Sequence, residues 1–227
     1  MFDRIRLWFF ALMLIVPASL LLACGARREP TIPAAPKKAE ETAGPALFLK
    51  EGFDENNSGW LEAADAEASQ GYRDGKFFFE IRAPDLFVWD NPGINVQDFV
   101  LSVKARQVSG DSENSYGVLV RYVDEGNFYR FDLSGDGRYA VFKLENAEWV
   151  PLADWQASAY VRPQGEVNLI QIDCQGAKMT FYVNGQELID VQDRSFERGD
   201  VGLLASTFAD PNVEVEFDNL EIREVQD

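Results

Sequence analysis

From Leu47 onward, apolar and polar residues alternate with a period of two, the spacing of strands that bury one face. Phe99-Val-Leu-Ser-Val-Lys-Ala puts Phe99, Leu101, Val103 and Ala105 on one side, and Tyr116, Val118, Val120 and Tyr122 repeat the pattern. Arg73-Asp-Gly-Lys76, Ser134-Gly-Asp-Gly137 and Asn184-Gly185 punctuate these runs. Asx-Gly pairs accept the positive φ of tight hairpins, so the pattern predicts about a dozen short strands. No stretch has the period of an amphipathic helix. The expected fold is all-β, an antiparallel β-sandwich of the jelly-roll kind.

The first 46 residues read differently. Met1–Arg6 carries two arginines, and Leu7–Ala23 is an almost unbroken apolar stretch, the charged and apolar regions of an export signal. With Pro17 inside it, this run is short for a membrane span. It ends in Leu21-Leu22-Ala23-Cys24-Gly25, which resembles the lipobox of bacterial lipoproteins. The resemblance implies that residues 1–23 are a signal peptide and that Cys24 receives a diacylglyceryl group on sulfur. Two or more acyl chains anchor a protein stably, whereas one holds it only marginally. Gly25–Ala46 is rich in Pro, Ala, Lys and Glu and cannot bury enough surface to fold. Residues 24–46 are thus expected to be a tether, roughly 25–30 Å from end to end. Residues 47–227 form the domain it holds, extracytoplasmic and membrane-anchored, at the cell surface or in the periplasm.

Charge narrows the partners. The chain carries −17, and residues 1–45 contribute six cations against four acids, leaving −19 on the rest. Such a surface repels nucleic acid and suits calcium. There is no histidine, which removes Ser-His-Asp and Cys-His catalysis and the common zinc sites. The second cysteine, Cys174, lies in an apolar strand and reads as an inert packed residue.

Several segments together suggest a family. They are Phe53-Asp-Glu-Asn-Asn-Ser-Gly-Trp60, Tyr72-Arg-Asp-Gly-Lys-Phe77, Tyr116-Gly-Val-Leu-Val-Arg-Tyr122, Asn127-Phe-Tyr-Arg-Phe131, Val183-Asn-Gly185 and Phe217-Asp-Asn-Leu220. In this order they resemble the concanavalin A-like lectin/glucanase jelly rolls, of the laminin-G-like and 3-keto-disaccharide-hydrolase-like kind. The resemblance implies two curved antiparallel sheets that often bind carbohydrate on the concave face. It supplies no catalytic motif that these positions match.

Val118–Leu144 holds the main candidate site. Taking Asp124-Glu-Gly-Asn127 as a turn sets Arg121 opposite Arg130, and Leu119 opposite Asp132. The Ser134–Gly137 turn then sets Asp132 opposite Tyr139, Arg130 opposite Val141 and Phe128 opposite Lys143. One face would carry Phe128, Arg121, Arg130, Asp132, Tyr139 and Lys143, with Tyr129, Phe131, Ala140 and Phe142 facing the core. Like charges directly opposite are destabilising, so two such arginines call for carboxylates or a ligand between them. Guanidinium forks, a carboxylate and a Tyr ring are groups that bond and stack on sugars. Trp89 and Trp149 read as loop-proximal stacking platforms, while Trp60 and Trp155 read as core.

The stretch Val213–Ile222 changes phase, because Val213, Val215 and Phe217 are odd-numbered and Leu220 and Ile222 even. A bulge near Asp218-Asn219 would keep both sets inside. The resemblance implies that an acid of the final strand sometimes joins the start of the domain through calcium, with Asp218, Glu51 and Asp54 as the ligands available. Glu214, Glu216 and Asp218 read as the solvent side of an acidic edge strand rather than as an acid/base pair. The function expected is non-catalytic binding of glycan or another envelope polymer. The alternatives are a glycoside hydrolase of the 3-keto-disaccharide type and a structural or partner-binding domain.

Overall fold

The computed structural model describes residues 45–225. The signal segment, Cys24 and all but the last two residues of the tether lie outside them.

Fifteen strands follow one another without a helix among the described residues. They are β1 (Leu47–Glu51), β2 (Ala63–Ala64), β3 (Ala68–Arg73), β4 (Lys76–Ile81), β5 (Phe87–Asp90), β6 (Phe99–Ser109), β7 (Ser115–Asp124) and β8 (Asn127–Ser134). Then come β9 (Arg138–Glu145), β10 (Glu148–Ala157), β11 (Asn168–Gln175), β12 (Lys178–Val183), β13 (Gln186–Gln192), β14 (Asp200–Ser206) and β15 (Val213–Arg223). Nine of them form one antiparallel sheet in the order β13-β12-β11-β6-β15-β4-β3-β2, with β1 also paired to β15. The other six form a second sheet in the order β10-β9-β8-β7-β14-β5. The all-β sandwich predicted from the alternation is the observed fold.

The hairpins follow their turn chemistry. Asp74-Gly75 and Asn184-Gly185 close two-residue loops with positive φ at both positions, pairing Arg73 with Lys76 and Val183 with Gln186. The alternating residues of both sheets meet between them. Phe77, Phe79, Phe99, Phe131, Phe181 and Phe217 are wholly buried there, and the rings of Phe131 and Phe181 stack across the sheets at 4.9 Å. Cys174 lies in the same core, where burial pushes its thiol up to about 12.

At one end of the core Phe53, Trp60, Tyr72 and Phe77 form an aromatic cluster. Asp90, 6 % exposed, accepts the N–H of Leu61 at 2.7 Å and of Asn91 at 2.9 Å. These bonds favour the charged carboxylate, but burial outweighs them and raises the group to about 7. Elsewhere Asp193 goes the other way. Burial would raise it, yet bonds from the Tyr129 hydroxyl, the Ser195 N–H and the Lys143 ammonium hold it at about 2.

The phase change in β15 is a bulge, as expected. The register with β6 slips between Asp218 and Glu221, and Asn219 takes φ 53°. The expectation that this strand is an edge is corrected, because β15 lies in the middle of the larger sheet, between β6 and β4. Its acids are met by cations of its neighbours. Glu214 pairs with Arg73, and Glu216 with Arg106 at 2.6 Å and Lys76 at 3.6 Å.

Candidate functional site

The site predicted around two facing arginines is rearranged by two local features. The first is a bulge in β7. Asp124 does pair with Asn127, but the register slips between Val120 and Asp124, so that Val120 opposes Tyr129 and Leu119 opposes Arg130. Arg121 sits in the slip with φ 52° and turns inward. It is 0 % exposed and donates to the carbonyl oxygens of Gly176 at 2.6 Å, Phe196 at 3.2 Å and Gln97 at 3.5 Å. Asp98, at 3.9 Å, is its nearest counter-charge. Arg121 therefore ties β7 to the loops around it and does not face Arg130.

The second feature is the β8–β9 turn. Leu133 pairs with Tyr139, not Asp132, because Ser134 and Arg138 flank a three-residue loop with Gly137 at φ 89°. The odd loop exchanges the two faces of β9. Tyr139 and Lys143 fall on the core side. The Tyr139 hydroxyl reaches the Leu188 carbonyl at 3.3 Å, and Lys143 bonds Asp193 and Ser195. Ala140 and Phe142, expected inside, lie opposite Asp132 and Arg130 instead.

What remains is a face of the six-stranded sheet turned away from the core. Strand alternation sends Phe128, Arg130 and Asp132 of β8 to it, with Phe87 and Trp89 from β5 and Tyr122 from β7. Arg130 and Asp132 form a two-pronged ion pair, Nε to Oδ2 at 2.6 Å and Nη2 to Oδ1. Nη2 also donates to Ser206 Oγ at 3.0 Å and Ser115 Oγ at 3.4 Å. Nη1 bonds to no described residue. Arg130 is only 6 % exposed and Asp132 not at all, and the guanidinium lies 4.4 Å above the Phe87 ring and 5.3 Å from that of Trp149. Gly117 opposes Asp132, and a Cβ there would stand 1.9 Å from the Phe131 carbonyl oxygen. Only glycine fits.

Beside the pair opens a hollow lined by Arg130, Phe142, Trp149, Trp155 and Phe208. Its rings touch in series: Trp149 with Phe142 at 6.4 Å, Phe142 with Trp155 at 6.3 Å, and Trp155 with Phe208 at 6.4 Å. Trp155, expected in the core, is half-buried here. Trp89 and Trp149 lie on strands rather than loops, and both belong to this face. Phe87 is not among the residues expected here, although the alternation Phe87-Val-Trp89 carries its signal. No such signal marks Trp155, because β10 slips twice against β9, between Pro151 and Ala153 and between Ala153 and Gln156.

The expected calcium site is corrected. Among the described residues no three carboxylate, His or Cys side chains gather as a metal site. Glu51 is 5 % exposed and spends Oε1 on the Phe53 N–H at 2.6 Å, whereas Asp54 is exposed. Asp218 lies among Lys76, Lys104 and Arg106 on the outside of the larger sheet.

Residues 50–223 match the family model described as 3-keto-alpha-glucoside-1,2-lyase-like domain. The chain belongs to this family. Among solved structures, the lyase-like domain is similar to carbohydrate binding module CBM66 from Bacillus subtilis, at 20% identity over 74% of this chain and 98% of that one, with TM-score 0.51. A Bacillus subtilis protein of unknown function with a galectin-like fold matches at 8% identity over 79% and 96%, with TM-score 0.59. A functionally unknown protein from Saccharomyces cerevisiae matches at 12% identity over 74% and 96%, with TM-score 0.56. These likenesses show the shared sandwich. No curated protein matches the lyase-like domain.

Proposed function

We propose that the lyase-like domain is a carbohydrate-binding module that grips a glycan on the outer face of the six-stranded sheet, without cleaving it. One observation carries the reading. The Arg130–Asp132 pair is almost fully buried among half-buried aromatic rings on a face turned away from the core. A desolvated ion pair is costly and adds little stability over apolar residues of the same volume, so its placement there favours recognition. Rings that flank a guanidinium with a free N–H suit a sugar, which presents C–H faces to aromatics and hydroxyls to donors. The likeness to a carbohydrate binding module supports the same reading. Cys24, lipidated as its lipobox suggests, would hold the module outside the cytoplasm through the tether.

The family description favours a second reading, cleavage of a 3-keto-glucoside. Elimination beside a ketone needs a base, and glycoside hydrolysis in most families needs two carboxyl groups. Among the described residues no carboxylate lines the hollow, which is why binding is preferred.

Retention on immobilised glycans tests the proposal. Trp155→Ala should lower affinity about tenfold, the equivalent of roughly 1.4 kcal/mol, while the melting temperature stays within a few degrees. Unchanged affinity rejects this face as the site, and product formed from a 3-keto-disaccharide rejects the non-catalytic reading.

A further inference from the structure

We infer that the ligand of this face is an uncharged glycan, and that the site is built against acidic sugars such as uronates. This rests on the carbohydrate-binding reading and adds the ligand's charge class. A site for a sugar carboxylate needs a guanidinium or ammonium with charge to spare. Among the described residues two guanidinium groups lie near the rings of this hollow, and both are already neutralised. Arg130 gives Nε and Nη2 to Asp132, keeping only the Nη1 donors for a ligand. Arg138, 5.8 Å from the Trp155 ring, holds Asp136 at 2.6 Å and Glu113 at 3.6 Å.

The rim adds negative charge. Asp154, which is exposed, precedes Trp155 where β10 slips against β9. At the other end of the aromatic row the Tyr122 hydroxyl is pushed up to about 12, chiefly by burial and then by the charges of Glu125, Asp124 and Asp200. A sugar carboxylate brought onto this strip would meet four carboxylates and, among the described residues, no unpaired cation that reaches the rings. Hydroxyl groups meet no such penalty. A paired guanidinium still donates from Nη1, and ring stacking is indifferent to salt.

The test is the retention of the full domain on four immobilised polymers: a neutral glucan, a neutral fructan, polygalacturonate and chitosan, each at about 20 and 500 mM salt. A neutral polymer should be retained, with affinity changing less than about twofold between the two salts, and Trp155→Ala should weaken it about tenfold. The screening length shrinks severalfold over that range, so a charge-driven complex would respond strongly. Tighter retention of polygalacturonate or chitosan than of either neutral polymer, lost with Trp155→Ala, overturns the inference and leaves the binding reading standing. Retention of none of the four overturns the binding reading itself.

Discussion

Arg121 and Arg130 stand on neighbouring strands, yet their guanidinium groups lie on opposite faces of the same sheet. Arg130 is held by Asp132 on the outer face, and Arg121 by the carbonyl oxygens of Gly176, Phe196 and Gln97 on the inner one. The bulge at Arg121 makes the difference, and the two residues should respond differently to substitution.

Arg121→Met removes a buried cation from three carbonyl acceptors and leaves them unsatisfied. Loss of buried bonds to a charged group costs about 1.5–3 kcal/mol each, less when the acceptors find water. Urea unfolding should show a loss of about 3 kcal/mol or more, with glycan retention of the folded fraction unchanged. A loss below about 1 kcal/mol would contradict the structural role given to this residue.

Gly117→Ala tests the close approach beside Asp132. The new methyl would collide with the Phe131 carbonyl oxygen at 1.9 Å, and backbone cannot give way cheaply. The variant should lose about 2 kcal/mol or more and weaken retention, because the displaced carbonyl lies between Arg130 and Asp132 in sequence. Thermal unfolding together with the retention assay would read both effects.

Stability should peak near pH 4 as far as Asp90 and Asp193 decide it. Asp90 is raised to about 7 from an ordinary value of 3.8, so between those values the native state holds its proton more tightly than the unfolded chain. Its contribution is full below about pH 4 and is lost as pH rises to about 7, on the order of 1–4 kcal/mol. Asp193 is lowered to about 2, so its contribution is present above about pH 4 and lost as pH falls towards 2. Melting temperatures from pH 2 to 8 should fall on both sides of the maximum. Asp90→Asn should flatten the limb between pH 4 and 7 and leave the acid limb unchanged; an unaltered upper limb would exclude Asp90 as its source.

Cys174 supplies a probe of global opening. Its thiol is wholly buried and raised to about 12, so almost no reactive thiolate exists at neutral pH in the native state. Labelling by a thiol reagent should require unfolding, and its rate should follow urea concentration as the unfolding equilibrium does. Rapid labelling of Cys174 in the native protein, read on the peptide that carries it and apart from Cys24, would place its thiol outside the core.

The fold was legible because period-two alternation and Asx-Gly turns are local signals, and the β15 bulge was legible because it reverses the parity of Val213–Phe217 against Leu220 and Ile222. The site was legible only in part. Arg130, Asp132, Trp89 and Trp149 share the outer face, whereas Arg121, Tyr139 and Lys143 do not. A bulge between Val120 and Asp124 in β7 and one odd loop before β9 exchanged their faces, and neither leaves a mark in hydrophobic spacing. The partners that hold Arg121, carbonyl groups of Gly176, Phe196 and Gln97, come from distant segments, and backbone acceptors carry no sequence signature at all.

The central position of β15 has a consequence for the order of assembly. A polypeptide that emerges N-terminus first exposes β4 and β6 long before residues 213–223 arrive to lie between them. Until then two long, apolar strand edges stand open, each a template for pairing with another molecule. The larger sheet can close only after the segment that divides it has been delivered. Export before folding would suit such a topology, and a shortened chain ending before Val213 should be captured by chaperones or precipitate rather than fold to a smaller sandwich.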